Sequence, residues 1–329
     1  MGAHIVSVGK YLPDTIVPNE ELASKLGLTP EQIHKSSGIL RRRWAARGTL
    51  TSELATKALS AALEKAGLDG EIIDYLLFGT MTPDRFIPGS GYAVQKNLGL
   101  REIPCLDIRA TCCNSLFGLQ LAKAFIGSKE FNNIAICLAE IQSPWLDMSP
   151  ESGTTSMLFG DGASALIVSS QKRQGSLEII DVMTAANGQY VDDLGVRCPG
   201  TEFGNEYLEG SNTEFLPRMD GQSVILNAAR RIVSACQTVL ERNELSISDI
   251  AWIVPHQANQ NLLTHIGRSL KFPVEKIISV LEDYANTSSA SMGIALESLC
   301  ASGRVRSGDY ILLPAFGAGF TWGAALCRA

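Results

Sequence analysis

Residues 107–117 (DIRATCCNSLF) carry a thiol at the point where a strand-like run gives way to a helix. Backbone N–H groups at the start of a helix are unpaired, and their positive field favours a thiolate over a thiol. We therefore expect Cys112 to be a nucleophile near neutral pH, and the chemistry that this indicates is covalent acyl transfer. On this segment alone a buried, unreactive cysteine is the alternative, because cysteine is among the residues most often buried.

A histidine follows a second strand-like run, within residues 255–259 (PHQAN). A strand over residues 250–254 would place His256 at its carboxyl end, with Gln257 and Asn259 fixing the geometry of the loop. Imidazole is the side chain best suited to donate a hydrogen bond or a proton near pH 7. On its own, this histidine fits a structural role equally well.

Two further segments are rich in small or turn-forming residues. Residues 284–291 (YANTSSAS) lead into an apolar helix, and Asn, Thr and Ser are ordinary turn and helix-capping residues. Residues 314–323 (PAFGAGFTWG) form a glycine-rich stretch between apolar runs, which usually marks a tight hairpin. Such a turn also lets backbone N–H groups approach a reacting oxygen closely.

Length and composition exclude several classes of protein. With 329 residues, 45% of them hydrophobic, the chain can bury a large core and form about two structural units. A net charge of −6 disfavours nucleic-acid binding, which requires a basic face. No stretch approaches the ~20 apolar residues of a membrane-spanning helix. The 8 cysteines lack the paired spacings of zinc sites or disulfide scaffolds, so we expect reduced thiols in a soluble, cytoplasmic protein.

One local exception to the acidic charge is the basic run formed by Arg41, Arg42 and Arg43, which Arg47 extends. Runs of this kind are usually solvated faces. The alternative is a contact with a phosphate or with an acidic carrier protein.

Strand-like and helix-like segments alternate along the chain, as in an α/β fold. Thr29, Pro30 and Gln32 combine a capping threonine, a first-turn proline and a glutamine at the third helical position, which together start a helix. The apolar patterns predict strands at residues 4–10, 74–79, 134–138, 250–254 and 310–313, and helices at residues 52–66, 116–126, 223–241, 259–270 and 291–302. Short, continuous apolar strands of this type are found in mainly parallel sheets.

The second half of the chain repeats the pattern of the first. We predict two similar α/β halves, residues 1–170 and 171–329, joined near residues 169–175, where polar residues interrupt the apolar pattern. Residues 188–220 show little periodicity, and we expect an ordered insertion or loop there. In α/β sheets ligands gather at the carboxyl ends of strands, where such an insertion would cap a site.

Taken together, the motifs resemble those of one family. The Cys112 segment, the PHQAN run, the Asn-Thr-Ser run and the terminal GFTWG stretch occur in the order found in β-ketoacyl-acyl-carrier-protein synthase III enzymes of the thiolase superfamily. The FGDGA run at residues 159–163 resembles that family as well, and the similarity covers essentially the whole chain. It implies a thiolase-like five-layer αβαβα fold of two duplicated halves, usually a homodimer. The implied reaction is decarboxylative Claisen condensation of an acyl thioester with a malonyl thioester on an acyl carrier protein.

The resemblance also implies roles for single residues. Cys112 is the implied nucleophile, and His256 and Asn286 are the implied hydrogen-bond donors to the enolate oxygen. Backbone N–H groups of Cys112 and Ala318 would form the oxyanion hole. The implied substrate pocket is formed by Ile87, Asn114, Ser115 and Phe316. This chemistry requires no metal, nicotinamide or flavin.

Three positions depart from the pattern of the family members that accept acyl-coenzyme A. Gln32, Ser36 and Ser152 stand where those members commonly have a tryptophan and two arginines that grip the nucleotide. Without stacking and charge at these positions, an acyl carrier protein is favoured over coenzyme A as the donor.

Other departures lie close to the chemistry. Asn114 stands where the family usually has a glycine, and Ser115 where it has a bulky apolar residue. Ala285 and Ala318 also replace glycines of the family. Ile87, which in this family lines the partner's acyl pocket, stands where some members have phenylalanine. These changes predict a specialised synthase rather than the housekeeping initiator of fatty-acid synthesis.

Alternatives to condensation remain open. An acyltransferase would move the acyl group from Cys112 to a hydroxyl or an amine without decarboxylation, with His256 as general base. A non-catalytic subunit would only shape a partner's pocket. Thiolase itself is disfavoured, because residues 316–319 (FGAG) lack its usual second cysteine.

Overall fold

The protein is described by a computed structural model that covers residues 2–204 and 213–329, and the elements named below lie in those residues. The strands are β1 (His4–Tyr11), β2 (Thr15–Pro18), β3 (Arg41–Trp44), β4 (Tyr75–Gly79), β5 (Cys105–Ile108), β6 (Asn133–Glu140), β7 (Gly162–Ser169), β8 (Leu177–Ala186), β9 (Leu194–Gly195), β10 (Arg218–Met219), β11 (Ile250–Ile253), β12 (Tyr310–Gly317) and β13 (Thr321–Arg328). The helices are α1 (Asn19–Ala23), α2 (Pro30–Ser37), α3 (Thr51–Ala66), α4 (Gly91–Leu98), α5 (Asn114–Gly127), α6 (Gly153–Ser156), α7 (Gly221–Arg242), α8 (Gln260–Leu270), α9 (Leu281–Tyr284) and α10 (Ser291–Ala301).

The strands and helices predicted from the apolar pattern are present, with their ends slightly shifted. The helix start predicted at Thr29 is confirmed. Thr29 Oγ1 accepts a hydrogen bond from the Gln32 N–H at 3.2 Å, and Gln32 Oε1 accepts one from the Thr29 N–H at 2.7 Å. This reciprocal pair satisfies N–H groups that the start of α2 would otherwise leave unpaired.

Within the described part of the chain, nine strands form one mixed sheet in the order β11-β12-β13-β8-β1-β7-β6-β4-β5. Strand β4 pairs in parallel with β5 and β6, and β11 with β12. The remaining neighbours pair antiparallel. The prediction of a mainly parallel sheet is therefore wrong. One reason is that β12 and β13 are joined by a short hairpin, and a hairpin can join only antiparallel strands.

The two parts of the sheet repeat one strand order. The N-terminal part reads β5-β4-β6-β7-β1, and the C-terminal part reads β11-β12-β13-β8. An isolated parallel bridge from Ile277 to Ile253 of β11 occupies the place that β5 has in the first part. When the strands of each half are numbered in chain order, the two halves therefore have the same spatial arrangement of strands, as the predicted duplication requires. Strand β7 ends at Ser169 and β8 begins at Leu177, and the domain boundary at residue 170 stays a prediction.

Helices α5 and α10 lie between the two parts of the sheet. Their sequences, NSLFGLQLAKAFIG and SMGIALESLCA, are apolar on nearly all sides, as expected of helices buried on both faces. Their side chains share a core with strands of both halves; its members include Leu116, Leu119, Leu166, Ile294, Leu296 and Leu313. Helices α3 and α4 cover the outer face of one half, and α7 and α8 that of the other. The succession of helix, sheet, helix, sheet and helix layers confirms the five-layer thiolase-like fold.

The insertion predicted at residues 188–220 holds only short elements in its described part. Strands β9 and β10 form a small antiparallel pair, and residues 205–212 lie outside the described residues. Among the helices of the described ranges, none combines the length and the apolar character that crossing a bilayer would demand. The cytoplasmic location stays a prediction.

Candidate active site

Cys112 lies in a short 3₁₀ turn, Thr111–Cys113, between β5 and α5. The backbone of Thr111 has φ +52°, a left-handed value that is unusual for a β-branched residue. The Thr111 hydroxyl donates to the Ala318 carbonyl at 3.2 Å, which ties the turn to the β12–β13 hairpin. The predicted nucleophile thus stands on a sharp, strained corner between a strand and a helix.

The glycine-rich hairpin approaches this corner closely. Gly317 ends β12, and a Cβ atom placed on it would collide with the Thr111 hydroxyl and lie 3.0 Å from the Cys112 nitrogen. Glycine is therefore required for the two backbones to come this near. The hairpin brings Ala318 beside Thr111, next to the cysteine.

Asn286 lies in a second turn, residues 285–289, which we call the Asn286 turn. Its N–H donates to the Leu158 carbonyl at 2.9 Å, and its carbonyl accepts from the Gly160 N–H at 3.1 Å. Its side-chain Oδ1 accepts from the Ser288 N–H at 2.8 Å. Ser288 Oγ is in turn 3.5 Å from Cys112 Sγ. The segments that carry Asn286 and Cys112 therefore meet at Ser288.

The FGDGA run holds the Asn286 turn in place. Phe159 pairs with Asn286 in an isolated parallel bridge, and a Cβ atom on Gly160 would lie 2.7 Å from the Tyr284 carbonyl. The buried Asp161 carboxylate accepts backbone N–H groups from Ala45, Gln142 and Ser143. The FGDGA motif therefore has a structural role, which is to support the turn that carries Asn286.

His256 lies just past β11, and its backbone N–H donates to the Pro314 carbonyl of β12 at 2.9 Å. Its ring Nδ1 is 2.7 Å from Ser291 Oγ. Burial lowers the pKa of His256 from 6.5 to about 4, and a contact with the Ser288 backbone opposes this only in part. The imidazole is therefore neutral at physiological pH.

The loop around His256 is fixed by its neighbours, as the sequence predicts. Gln257 is fully buried, and its amide donates to the Pro255 carbonyl at 2.7 Å. Asn259 Oδ1 accepts from the Leu262 N–H at 2.8 Å and so caps α8.

The Cys112 thiol is not activated in the way that the sequence predicts. Crowding by surrounding protein atoms raises the pKa of Cys112 from 9.0 to about 11, and the Glu140 carboxylate adds to the rise. A hydrogen bond with Ser288 and the backbone of Cys112 itself oppose it. Desolvation of the charged form outweighs these two opposing contributions. The prediction of a thiolate near neutral pH is therefore wrong for the free protein.

The sequence patterns did not identify three buried polar residues of the site, which are Glu140, Ser288 and Ser291. Glu140 ends β6, and its carboxylate accepts from the Thr82 hydroxyl at 2.9 Å and the Met81 N–H at 3.0 Å. It also accepts from the Ser289 hydroxyl at 2.6 Å, so it connects the loop after β4 with the Asn286 turn. The signal that could have identified it is a carboxylate that ends an otherwise apolar strand.

The predicted pocket residues divide into two groups. Asn114 and Ser115 are buried at the start of α5, directly after the nucleophile turn, and Phe316 is buried in β12. Asn114 Oδ1 accepts from the Ala110 N–H at 2.6 Å. Ile87, by contrast, is 74% exposed on the loop before α4, so it lies on the surface of its own chain rather than among these buried residues.

The middle residue of the basic run is buried rather than on the surface. Arg42 is fully buried in β3, where its guanidinium donates to Asn19 Oδ1 at 2.9 Å and to the Met157 carbonyl at 3.1 Å. Burial lowers the pKa of Arg42 to about 10. Alternate residues of a strand point to opposite faces, and Arg42 faces the interior. The prediction of a phosphate or carrier contact is therefore wrong for Arg42.

The two flanking arginines also have partners within the chain. Arg41 forms an ion pair with Asp283 at 2.7 Å. The Arg43 guanidinium donates to the Pro13 carbonyl at 3.2 Å. A contact of Arg41 or Arg43 with a carrier protein stays a prediction.

Comparison with known proteins decides the family. A family model for 3-oxoacyl-[acyl-carrier-protein] synthase III matches residues 106–188, and the model for its C-terminal part matches residues 240–329. The β-ketoacyl-[acyl-carrier-protein] synthase III of Chlamydia caviae is 36% identical over 99% of this chain and 96% of the relative. That of Laribacter hongkongensis is 36% identical over 98% of each chain. The chain belongs to the β-ketoacyl-[acyl-carrier-protein] synthase III family.

Solved structures of the family have the same fold. The 3-oxoacyl-[acyl-carrier-protein] synthase III of Aquifex aeolicus matches with a TM-score of 0.90 at 31% identity and covers 100% of both chains. The priming β-ketosynthase from the R1128 polyketide biosynthetic pathway matches with a TM-score of 0.88 at 30% identity over 99% of this chain and 95% of the other. As a member of the synthase III family, this chain is a condensing enzyme, and condensing enzymes are a class of acyl-group transferases.

A cleft between α7 and α8 opens beside the loop that carries His256. Its volume is about 720 Å³, and the residues lining it include Ser36, Ile225, Leu226, Asn259 and Leu262. Ser36 is one of the three positions that the sequence predicts to depart from coenzyme A-accepting synthases, and of the other two, Gln32 is engaged in the cap of α2. The Ser152 hydroxyl donates to the Asp147 carboxylate at 2.7 Å. None of these three departures supplies an aromatic or cationic group to the cleft.

The raised pKa of Cys112 predicts how its reactivity depends on pH. The thiolate fraction of a thiol with a pKa of about 11 rises tenfold per pH unit between roughly pH 7 and 9.5, without a plateau. We expect alkylation of Cys112 by iodoacetamide, followed by peptide mass spectrometry, to have this slope. A plateau that begins near pH 8 would contradict the raised pKa.

Because the unfolded thiol ionises at a lower pH than the folded one, the free energy of unfolding should also fall above about pH 9.

Ala285 precedes Asn286 in a backbone conformation that is almost restricted to glycine, with φ +56° and ψ −161°. We expect Ala285→Gly to raise the free energy of unfolding by about 1 kcal/mol, because the released strain exceeds the entropic cost of glycine. Urea unfolding measures this change. Ala290→Gly is the matched control, since Ala290 has an ordinary φ of −76°, and it should lower stability. Equal losses in the two variants would show that residue 285 is not strained.

Proposed function

We propose that this chain forms a β-ketoacyl thioester in two steps on one cysteine. In the first step Cys112 attacks the carbonyl of an acyl thioester, the C–S bond to the carrier breaks, and the carrier thiol leaves with the proton that Cys112 gives up. In the second step a malonyl thioester loses CO₂, and its enolate carbon attacks the acyl-Cys112 carbonyl. A C–C bond replaces the C–S bond to Cys112, which leaves as a thiolate and is protonated again.

The observation that carries this proposal is the orientation of the Asn286 amide. The Ser288 N–H donates a hydrogen bond to Asn286 Oδ1 at 2.8 Å. The NH₂ group is therefore the part of the amide that remains to bind a ligand. With a neutral His256 nearby, the site can offer two uncharged donors. Donors held in place before the reaction stabilise the charge that develops on an enolate oxygen.

We assign the oxyanion hole of the acyl enzyme to the backbone N–H groups of Cys112 and Ala318. The close approach of Gly317 to the Cys112 backbone supports this assignment. So does the hydrogen bond from Thr111 to the Ala318 carbonyl, which holds the hairpin beside the cysteine. Backbone donors at such a corner need no rearrangement during the reaction.

We infer that the acyl donor arrives on an acyl carrier protein rather than on coenzyme A. Gln32, Ser36 and Ser152 support this inference, because none of them has an aromatic ring to stack on adenine or a positive charge to form an ion pair with a phosphate. Intact-mass measurement after incubation with the same acyl group on either carrier tests it. We expect the adduct on Cys112 to form faster from the carrier protein, and faster loading from coenzyme A would reverse the inference.

A specialised pathway is the setting that we propose for this synthase. The departures at Asn114 and Ser115 beside the nucleophile support it. The similarity to a priming β-ketosynthase of polyketide biosynthesis, at 30% identity, supports it as well. A panel of acyl groups on the carrier protein, read by intact mass, would identify the preferred donor. Preference for an unbranched acetyl group would count against a specialised role.

Release of CO₂ separates condensation from simple acyl transfer. An acyltransferase would need His256 as a base toward a hydroxyl or an amine. We expect one CO₂ for each product when a malonyl thioester is the second substrate, measured with a carboxyl-labelled malonyl group. Product without CO₂ would favour the acyltransferase. Failure of every acyl donor to label Cys112 would favour a non-catalytic subunit.

We also propose that two copies associate into the homodimer that the family resemblance implies, and that they meet along β5. Strand β5 lies at the edge of the sheet, and Leu106 on it is 39% exposed. The neighbouring loop exposes Phe86 and Ile87 by 70% and 74%, and the Ser90 N–H ties it to Asp107 of β5 at 2.6 Å. In such a dimer Ile87 would line the partner's acyl pocket. Sedimentation velocity should report a dimer, and a monomer at micromolar concentration would contradict it.

A further inference from the structure

Ser291 is the first residue of α10, and one residue, Ala290, separates it from the Asn286 turn. Its side chain is only 1% exposed, and its hydroxyl lies between two residues of the loop that carries His256. Oγ is 2.7 Å from His256 Nδ1 and 3.1 Å from the Gln257 nitrogen. One hydroxyl thus connects the helix after Asn286 with the imidazole.

The directions of these two bonds follow from the partners. A backbone N–H can only donate, so the Ser291 oxygen accepts from Gln257. The hydroxyl keeps one proton, and in the described part of the chain His256 Nδ1 is the acceptor within hydrogen-bond distance of it. A ring nitrogen that accepts a hydrogen bond carries no proton, so the proton of a neutral imidazole is then on Nε2.

We propose that Ser291 is a positioning residue that keeps the proton of His256 on Nε2, where the ring can donate it in a hydrogen bond to the substrate oxygen. This inference rests on the proposed condensation. It adds the residue that determines which ring nitrogen of His256 donates the hydrogen bond. An imidazole with a proton on Nε2 stabilises an enolate oxygen but has no lone pair there to take a proton from an acceptor hydroxyl. Ser291 therefore favours condensation over acyl transfer to a hydroxyl or an amine.

Two substitutions at Ser291 test the proposal. Ser291→Ala removes the hydroxyl, and Ser291→Thr keeps it. In the natural protein and in Ser291→Thr, the ¹⁵N chemical shifts of the His256 ring should show a neutral ring protonated on Nε2. In Ser291→Ala we expect a mixture of the two tautomers. The chain has 4 histidines, and His256→Gln identifies the relevant signals.

Kinetics give a second readout. Condensation from a preformed acyl enzyme should fall about tenfold in Ser291→Ala, the effect of losing one buried hydrogen bond at the donor. Acylation of Cys112 should stay within about twofold, and Ser291→Thr should restore most of the condensation rate. Ser7→Ala is the matched control. It removes another buried hydroxyl, which donates to the Ala62 carbonyl at 2.7 Å, and should change neither the tautomer nor the rate.

Several outcomes would overturn the proposal. A proton on Nδ1 in the natural protein, with the ring donating to the Ser288 backbone instead, would refute it. So would a Ser291→Ala protein with an unchanged tautomer, even if its rate fell, because that loss would be structural. The chemical shifts need no substrate. A protein with the Nε2 proton but no release of CO₂ would refute the proposed condensation and leave the assignment of the proton intact.

Discussion

Replacing Cys112 with alanine should abolish the acyl-enzyme adduct and lower condensation by at least about a thousandfold. The loss is this large because both proposed steps pass through the sulfur, and no other thiol can replace it. The adjacent Cys113 is fully buried, and its Sγ faces the Thr321 carbonyl at 3.5 Å. Intact-mass spectrometry after exposure to an acyl donor measures the adduct, and product formation measures the rate.

Cys113→Ala is the matched control for this experiment. It removes a thiol one residue away and should keep the adduct on Cys112, at some cost in stability because it leaves a small cavity. Retained acylation in Cys112→Ala, located to another residue by peptide mapping, would show that the nucleophile is wrongly assigned.

Asn286→Asp should leave acylation of Cys112 within a few-fold of its original rate but lower condensation by about 100- to 1,000-fold. Aspartate keeps an oxygen that can accept the Ser288 N–H, a bond of 2.8 Å in the natural protein, so the turn is preserved. It replaces the amide NH₂ with an oxygen that cannot donate and that repels an enolate. Single-turnover measurement of both steps separates the two effects.

Asn286→Ala provides the comparison. It loses both the donor and the bond from Ser288, so its condensation should fall similarly while its stability falls further than that of the aspartate variant. Turnover equal to that of the natural protein in either variant would rule out Asn286 as a donor to the enolate. Equal losses in acylation and condensation would point to damage of the turn instead.

Features with a local cause were predictable from the sequence. The start of α2 depends on Thr29 and Gln32, which are three residues apart and bond to each other. The buried strands β4 and β6 follow from continuous apolar runs. The direction of the strands was not predictable in this way. It depends on pairing between segments far apart in the chain, which is why the sheet proved mixed.

The candidate site also has residues that were predictable from the sequence and residues that were not. Cys112, His256 and Asn286 were identified by the order of their motifs, and the structure brings their segments together around Ser288 and Ser291. The polar residues between them were not identified, because serine in a turn is ordinary in sequence. Their importance comes from contacts across the fold.

The amino-acid sequence by itself determined the helices and strands that have a clear apolar pattern, the family motifs and the class of chemistry, since these depend on residue types and short spacings. The tertiary structure alone decided the directions in which the pKa values of Cys112 and His256 shift, the direction of the Asn286 amide and the burial of Arg42. The physical reason is that desolvation and hydrogen bonding depend on the atoms that surround a group, and at this site those atoms come from residues far apart in the chain.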